Sequence, residues 1–258
     1  MLIQDQVFIV TGSSAGIGAA CATSLAAKGG RIVINCTKSE EDARGVAAAC
    51  EAAGGAAIVV QGDVSVDADC HKLAEAALSS WGRIDGLVNN AGTTKFAAHA
   101  DLDALDAADF QRIYGVNVIG PYQMVRAVAP AMRAQGRGVV VNVSSVAGLL
   151  GVGSSVAYAA SKGALNTMTM SLARALGPAI RVNAVCPGFV ETGWLESGLG
   201  AAYARQKEAF EAMTPLNSVL SVDDVADAVL WLIEGAQHVT GILLSVDSGL
   251  HLGGFLRR

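Results

Sequence analysis

Apolar residues fall along this chain in short runs separated by longer, alanine-rich segments. The runs are QVFIVT (6–11), RIVINC (31–36), AAIVVQ (56–61), IDGLVNN (84–90), GVVVNVSS (138–145), IRVNAVC (180–186) and ILLSV (242–246). Most are continuous rather than alternating in polarity, which is the pattern of strands covered on both faces. The spacers are long enough for crossover helices. Repetition of this unit predicts an α/β fold with a seven-stranded, mostly parallel sheet and helices on both faces. No linker-like composition break divides the chain, so one domain over residues 1–258 is expected. Only the stretch 189–218 interrupts the rhythm.

Two short motifs stand at informative places in that pattern. TGSSAGIG follows the first strand and opens a helical segment, bringing Gly12, Ser14, Ala15, Gly16, Ile17 and Gly18 into one turn. Backbone N–H groups at a helix N-terminus attract anions, and glycines allow the tight turn and close approach that a pyrophosphate needs. In VAYAASKGAL (156–165), Tyr158 and Lys162 are four residues apart and share one face of a helix. The pair reads either as a solvated face or as an acid–base device. For the latter, a phenol that titrates near pH ~10 when free would be drawn down by a neighbouring ammonium.

Composition narrows the partners. Hydrophobic residues make up 52% and charged residues 16% of the 258, which predicts extensive burial and an oligomer. A net charge of −5 without a basic run removes the electrostatic basis for nucleic-acid binding. The five cysteines are widely spaced and form no C-x-x-C pair, so no disulfide framework and no metal site is expected. With no basic, signal-like N-terminus either, the expectation is a cytoplasmic protein. The uncharged stretch Val139 to Ser161 is too rich in serine and glycine to read as a membrane span.

Taken together, TGSSAGIG (11–18), NNAG (89–92), VNVIG (116–120), NVSSVAG (142–148), YAASK (158–162) and NAVCPGFVET (183–192) occur in a distinctive order and spacing. On these motifs the chain resembles the classical short-chain dehydrogenases/reductases over essentially its full length, and is similar to their 3-oxoacyl-acyl-carrier-protein-reductase-like members. The resemblance implies a Rossmann-type, doubly wound domain and an NAD(P)-dependent interconversion of a ketone and a secondary alcohol. It makes Tyr158 the acid–base, has Lys162 lower the phenol's pKa and hold the nicotinamide ribose, and gives Ser145 the substrate oxygen. Asn117 would support a water-linked proton path. Asn90, Ala91 and Gly92 would wall the cofactor, Asp63 and Val64 would flank adenine, and Pro187, Gly188, Val190 and Thr192 would close over the nicotinamide. Ser144 adjoins Ser145, but only Ser145 stands at the family's usual distance before the tyrosine.

The second strand ends at Cys36 and is followed by Thr37, Lys38 and Ser39, with no carboxylate where an NAD-binding acid usually stands. The expectation is NADP(H) over NAD(H). Stretch 189–218, with Phe189, Trp194, Leu195, Tyr203 and Phe210, is expected to roof the substrate pocket. Thr94, Lys95, Phe96 and the stretch 149–155 are further candidate walls, whereas His99 reads as a surface residue. A small carbonyl or alcohol is the expected partner, in a homotetramer or homodimer paired through Ala107–Ala134 and Val156–Leu176. Within the same chemistry, a 3-oxoacyl-thioester reductase or a sugar or steroid dehydrogenase using NAD stays open. So does a cofactor-binding regulator without turnover.

Overall fold

A computed structural model describes residues 2–253. The seven runs form seven strands: β1 (Val7–Val10), β2 (Arg31–Cys36), β3 (Ala56–Gln61), β4 (Gly86–Asn89), β5 (Gly138–Val143), β6 (Ile180–Pro187) and β7 (Leu243–Val246). They make one sheet in the order β3-β2-β1-β4-β5-β6-β7, with every neighbouring pair parallel. The crossovers are α1 (Gly16–Ala27), α2 (Glu40–Ala52), α3 (Asp67–Trp81), α4 (Ala107–Tyr114) with α5 (Gly120–Ala134), and α6 (Ala147–Leu150) with α7 (Val156–Leu176). The last crossover holds α8 (Gly193–Leu199), α9 (Tyr203–Met213) and α10 (Val222–Glu234).

The continuous apolar runs are explained by burial on both sides. Along β1, Phe8 and Val10 join a core with Leu25 of α1, Cys50 of α2 and Val229 of α10. Val7 and Ile9 point the other way, into a core with Leu73 of α3, Met124 of α5 and Leu176 of α7. Each such side chain contributes on the order of 1.5–3 kcal/mol when fully buried. All five cysteines are free and buried. Among the described residues no group of acidic, histidine and cysteine side chains is placed to hold a metal, and no helix is long and apolar enough to cross a membrane.

Strand order reverses between β1 and β4, and the crevice that this reversal opens at the carboxyl ends of the strands is where α/β sheets bind ligands. Gly12 follows β1 and Ala91 follows β4 across it. A Cβ on Gly12, whose φ is +61°, would come within 2.9 Å of Ala91 Cα, so only glycine fits. The alanine-rich segment 107–134 forms α4 and α5 joined by a π turn at Gly115–Ile119, centred on Asn117. Such an inserted residue commonly marks a functional position. The apolar tail VDSGLHLGGFL (246–256), read from the sequence as a further candidate for intersubunit contact, has its last residues outside the described part of the chain.

Candidate active site

The glycine turn is built from inside the sheet. Asn35, fully buried on β2, accepts the Gly12 N–H through Oδ1 at 3.0 Å and donates through Nδ2 to the Gly62 carbonyl at 3.0 Å. Ser13 Oγ donates to the Val10 carbonyl and accepts the Asn35 N–H. From the other side, Asn90 Nδ2 donates to the carbonyls of Thr11 and Gly12, both at 3.0 Å. A Cβ on Gly18 would fall 2.5 Å from that same Nδ2, so the turn, the asparagine and α1 are packed as one unit.

This cradle suits a pyrophosphate. The first turn of α1 carries no acidic side chain and Ala15 provides no side-chain cap, so the N-terminal N–H groups of α1 are left for an anion. Ser14 and Ile17 are partly exposed on the same turn. Thr192, at the base of α8, brings its methyl within 3.7 Å of where a Gly16 Cβ would stand, closing the far side of the crevice. Thr37, Lys38 and Ser39 are exposed beyond β2, and Lys38 is paired with no carboxylate among the described residues.

Several anticipated contacts have other employment. The Asp63 carboxylate accepts the Ser65 N–H and hydroxyl at 2.9 and 2.7 Å, while Val64 is buried against Gly120. The Val190 side chain lies in the core and its backbone bridges to Leu220, which leaves its main chain rather than its side chain toward the crevice. Gly188 packs on the backbone of Asp247, and the Pro187 carbonyl accepts the Val146 N–H at 3.0 Å.

On the substrate side, α7 starts at Ser155, whose hydroxyl caps it by accepting the Tyr158 N–H at 3.2 Å. Tyr158 and Lys162 share one face of this helix. Ser145 lies just past β5, where its hydroxyl accepts the Ala147 N–H at 3.1 Å and donates to the Pro187 carbonyl at 3.5 Å, near enough to the Tyr158 phenol to favour its ionised form. Its neighbour Ser144 is buried and donates to Asn166 Oδ1 at 2.6 Å, so the two serines are divided between site and scaffold. The Lys162 ammonium donates to the Val143 carbonyl at 2.9 Å and stands 5.7 Å from the centre of the Tyr158 ring. Gly148 lets α6 approach α7 closely, because a Cβ there would meet the Lys162 backbone at 2.5 Å. Fully buried Asn117 accepts the Thr93 N–H at 2.8 Å and donates to the Thr93 carbonyl and Ser161 hydroxyl, both at 3.0 Å. It therefore clamps the loop after β4 to α7.

Charge in this site departs from the sequence-based expectation. Burial pushes the Tyr158 phenol up to about 12, and the nearby Ser145 hydroxyl offsets only part of that. Burial pushes Lys162 down to about 8. The ammonium does not draw the phenol down in the chain by itself: desolvation acts on both groups and favours the neutral form of each. Tyr158 is then a protonated donor throughout the neutral range.

Over the tyrosine lies an aromatic wall. Trp194 of α8 sits with its ring centre 6.4 Å from that of Tyr158 and 5.7 Å from that of Phe96. The loop carrying Phe96 is tied to 153–155: Ala97 N–H donates to the Ser154 carbonyl, Thr94 and Ser154 hydroxyls meet at 2.7 Å, and His99 reaches the Gly153 carbonyl at 3.2 Å. His99, read as a surface residue, tethers this loop from the exposed side. Beneath, Phe189 packs on Tyr203 and Phe210, and Lys207 pairs with Glu191 across the base of the stretch 189–218. Sequence reading missed Asn35 and Thr11, whose hydroxyl accepts the N–H groups of Asn90 and Ala91. A polar residue interrupting the apolar run RIVINC was the available signal for Asn35.

A family model described as enoyl-(acyl carrier protein) reductase matches residues 12–251. The chain is 45% identical over 95% of its length, and 96% of the other, to a Streptomyces violaceoruber protein assigned as ketoacyl reductase 2 of the granaticin polyketide synthase. It is 38% identical to an L-rhamnose 1-dehydrogenase (NAD(P)(+)) of Azotobacter vinelandii, covering 97% of this chain and 98% of that one. A solved Burkholderia xenovorans structure, assigned as a short-chain dehydrogenase/reductase, superposes with a TM-score of 0.90 at 41% identity over 96% of this chain and 99% of its own. With the switch-point crevice, the glycine cradle and the Tyr158–Lys162 helix, these matches show that the chain belongs to the short-chain dehydrogenase/reductase family of oxidoreductases.

Proposed function

We propose that this enzyme interconverts a ketone and a secondary alcohol, using NADP(H) in preference to NAD(H), with Tyr158 as the acid–base. The observation that carries the reading is the placement of the Tyr158 ring 5.7 Å from the buried Lys162 ammonium on one face of α7, with Ser145 at the carboxyl end of β5 beside the glycine cradle. A bound nicotinamide would supply or accept the hydride, held by the 12–18 turn, by the backbone of 90–92 and 187–190, by Thr192 and by Lys162. As a carbonyl is reduced, negative charge grows on its oxygen. Ser145 donates a hydrogen bond to that oxygen, and Tyr158 transfers its proton to it. Lys162, which at neutral pH is still mostly protonated with a pKa of about 8, stabilises the phenolate left behind. In the oxidation direction each proton transfer reverses. Asn117 fixes the loop that faces the reaction and marks the inner end of a water-linked path for resupplying the proton.

Cofactor preference rests on the exposed Thr37-Lys38-Ser39 turn, where a hydroxyl, a cation and a hydroxyl can meet a 2′-phosphate and no carboxylate ends β2. The stretch 189–218 acts as the substrate lid. A homotetramer or homodimer is part of the same reading, supported by Phe110, Ile119, Tyr122 and Met170, which leave 37–50% of their surface exposed on α4, the π turn, α5 and α7. Solution mass tests this, and a clean monomer refutes it.

The test of the chemistry is oxidation of NADPH, with NADH in parallel, against ketones and acyl thioesters. Turnover that disappears in Tyr158→Phe while NADPH still binds is expected. Unchanged turnover in that variant, or equal use of NADH at low cofactor concentration, refutes respectively the acid–base role and the preference.

A further inference from the structure

We infer that Trp194 is the specificity-determining residue of this site and selects a planar, ring-containing ketone over an open-chain one; the inference rests on the ketone–alcohol reading above. Trp194 is one of the largest side chains in the protein, yet 49% of it is exposed, although it stands next to the tyrosine. Tryptophan is ordinarily well covered, so an uncovered indole face beside a reactive group points to a ligand that covers it.

The geometry defines that ligand's shape. The indole and phenol planes are tilted by 43° at a centre separation of 6.4 Å, which leaves a wedge rather than a stacked pair. A single flat ring between two aromatic faces needs about 7 Å, two contacts of ~3.5 Å each. A small rotation of the indole therefore admits one aromatic layer, whereas a puckered polyol or branched chain is thicker. Phe96 makes the wall stiff. It leans on α8 at Gly198, where a Cβ would fall 2.0 Å from its ring, and its centre is 5.7 Å from that of Trp194.

The chemistry of the wall agrees with its shape. Its polar groups are used internally: Thr94 and Ser154 satisfy each other at 2.7 Å, and the nearby cations Lys95 and Lys207 are held by Asp109 and Glu191. A sugar would bring hydroxyls with few free groups to meet them, and unmatched polar groups are costly in a closed pocket. On the other side, Leu149, Leu150 and Val152 are 40–44% exposed along the segment that leads to Gly153, against the Tyr158 ring.

The test compares 2-tetralone, a flat fused-ring ketone, with 2-octanone, an open-chain ketone of similar size, in wild type, Trp194→Ala and Trp194→Phe with NADPH. The expected result is a kcat/KM about 3- to 10-fold higher for 2-tetralone in wild type, about what one aromatic pair supplies. Trp194→Ala is expected to lose most of that margin, its kcat/KM falling further for 2-tetralone than for 2-octanone and chiefly through KM, and Trp194→Phe to keep much of it. Equal losses on both ketones in Trp194→Ala, or a wild-type preference for 2-octanone, would overturn the inference. Quenching of tryptophan fluorescence by 2-tetralone separates the two layers of the argument. Saturable quenching that Trp194→Phe abolishes, without turnover of either ketone, would sink the ketone–alcohol reading but leave the stacking site standing. Absence of both quenching and preference overturns the site itself.

Discussion

Replacing Lys162 by methionine should make the cofactor-free protein more stable at neutral pH while abolishing its catalysis. The side chain is 97% buried, and burial lowers its pKa from 10.5 to about 8. At ~1.4 kcal/mol per pH unit, that difference is about 3 kcal/mol of penalty for keeping the buried group charged. The penalty acts fully below pH ~8, where both folded and unfolded chains hold the proton. Between about 8 and 10.5 the unfolded chain binds more protons than the folded one, so wild-type stability gains with rising pH from this group. Methionine has similar length and no charge, but it leaves the Val143 carbonyl without its 2.9 Å donor, at a cost of about 1–2 kcal/mol. The net gain for Lys162→Met is therefore roughly 1–2 kcal/mol at pH 7, or about 3–6 °C in melting temperature for a chain of this size. Thermal melts of both proteins without cofactor, at pH 7 and at steps through the 8 to 10.5 window, give the difference directly, and the other titrating groups cancel. The variant's advantage should shrink as pH climbs. A variant less stable than wild type at pH 7, or an advantage that does not change with pH, would refute the claim that desolvation governs this lysine. A gain in stability on removing a functional group is the expected mark of a site held under electrostatic strain.

Further outcomes follow from other contacts. Asn35→Ala strips partners from the Gly12 N–H and the Gly62 carbonyl inside the sheet, and should cost roughly 2–4 kcal/mol in urea melts while raising the KM for cofactor more than that for substrate. Lys38→Ala should raise the KM for NADPH by about 5-fold, the worth of a partly exposed ion pair, and leave that for NADH unchanged; an equal effect on both would remove Lys38 from 2′-phosphate recognition. Gly153→Ala places a side chain at φ +114°, 3.0 Å from Ala147 Cβ and 3.6 Å from the Tyr158 ring. It should lower stability by about 1–3 kcal/mol and reduce kcat, as read by melts and steady-state rates.

The strands were set locally. Continuous apolar runs such as RIVINC and GVVVNVSS are buried on both faces of a parallel sheet, so their signal survives without knowledge of their neighbours. Tyr158 and Lys162 were likewise legible, because helical spacing alone puts them on one face, and Ser155 supplies the cap that starts that helix. The motif order also picked Ser145 over Ser144, and the fold buries Ser144 against Asn166 while leaving Ser145 partly exposed. What only the tertiary structure decided depends on distance across the chain. Asn35 reaches Gly12 across 23 residues, and Trp194 meets both Phe96 and Tyr158 from the opposite side of the crevice. Val64 and Val190, read from their motifs as cofactor contacts, turn their side chains into the core because Gly120 and Leu220 await them there. The charge state of the site was least accessible. Spacing places an ammonium beside a phenol, but only burial sets the balance between their attraction and the loss of water, and here desolvation prevails at both groups.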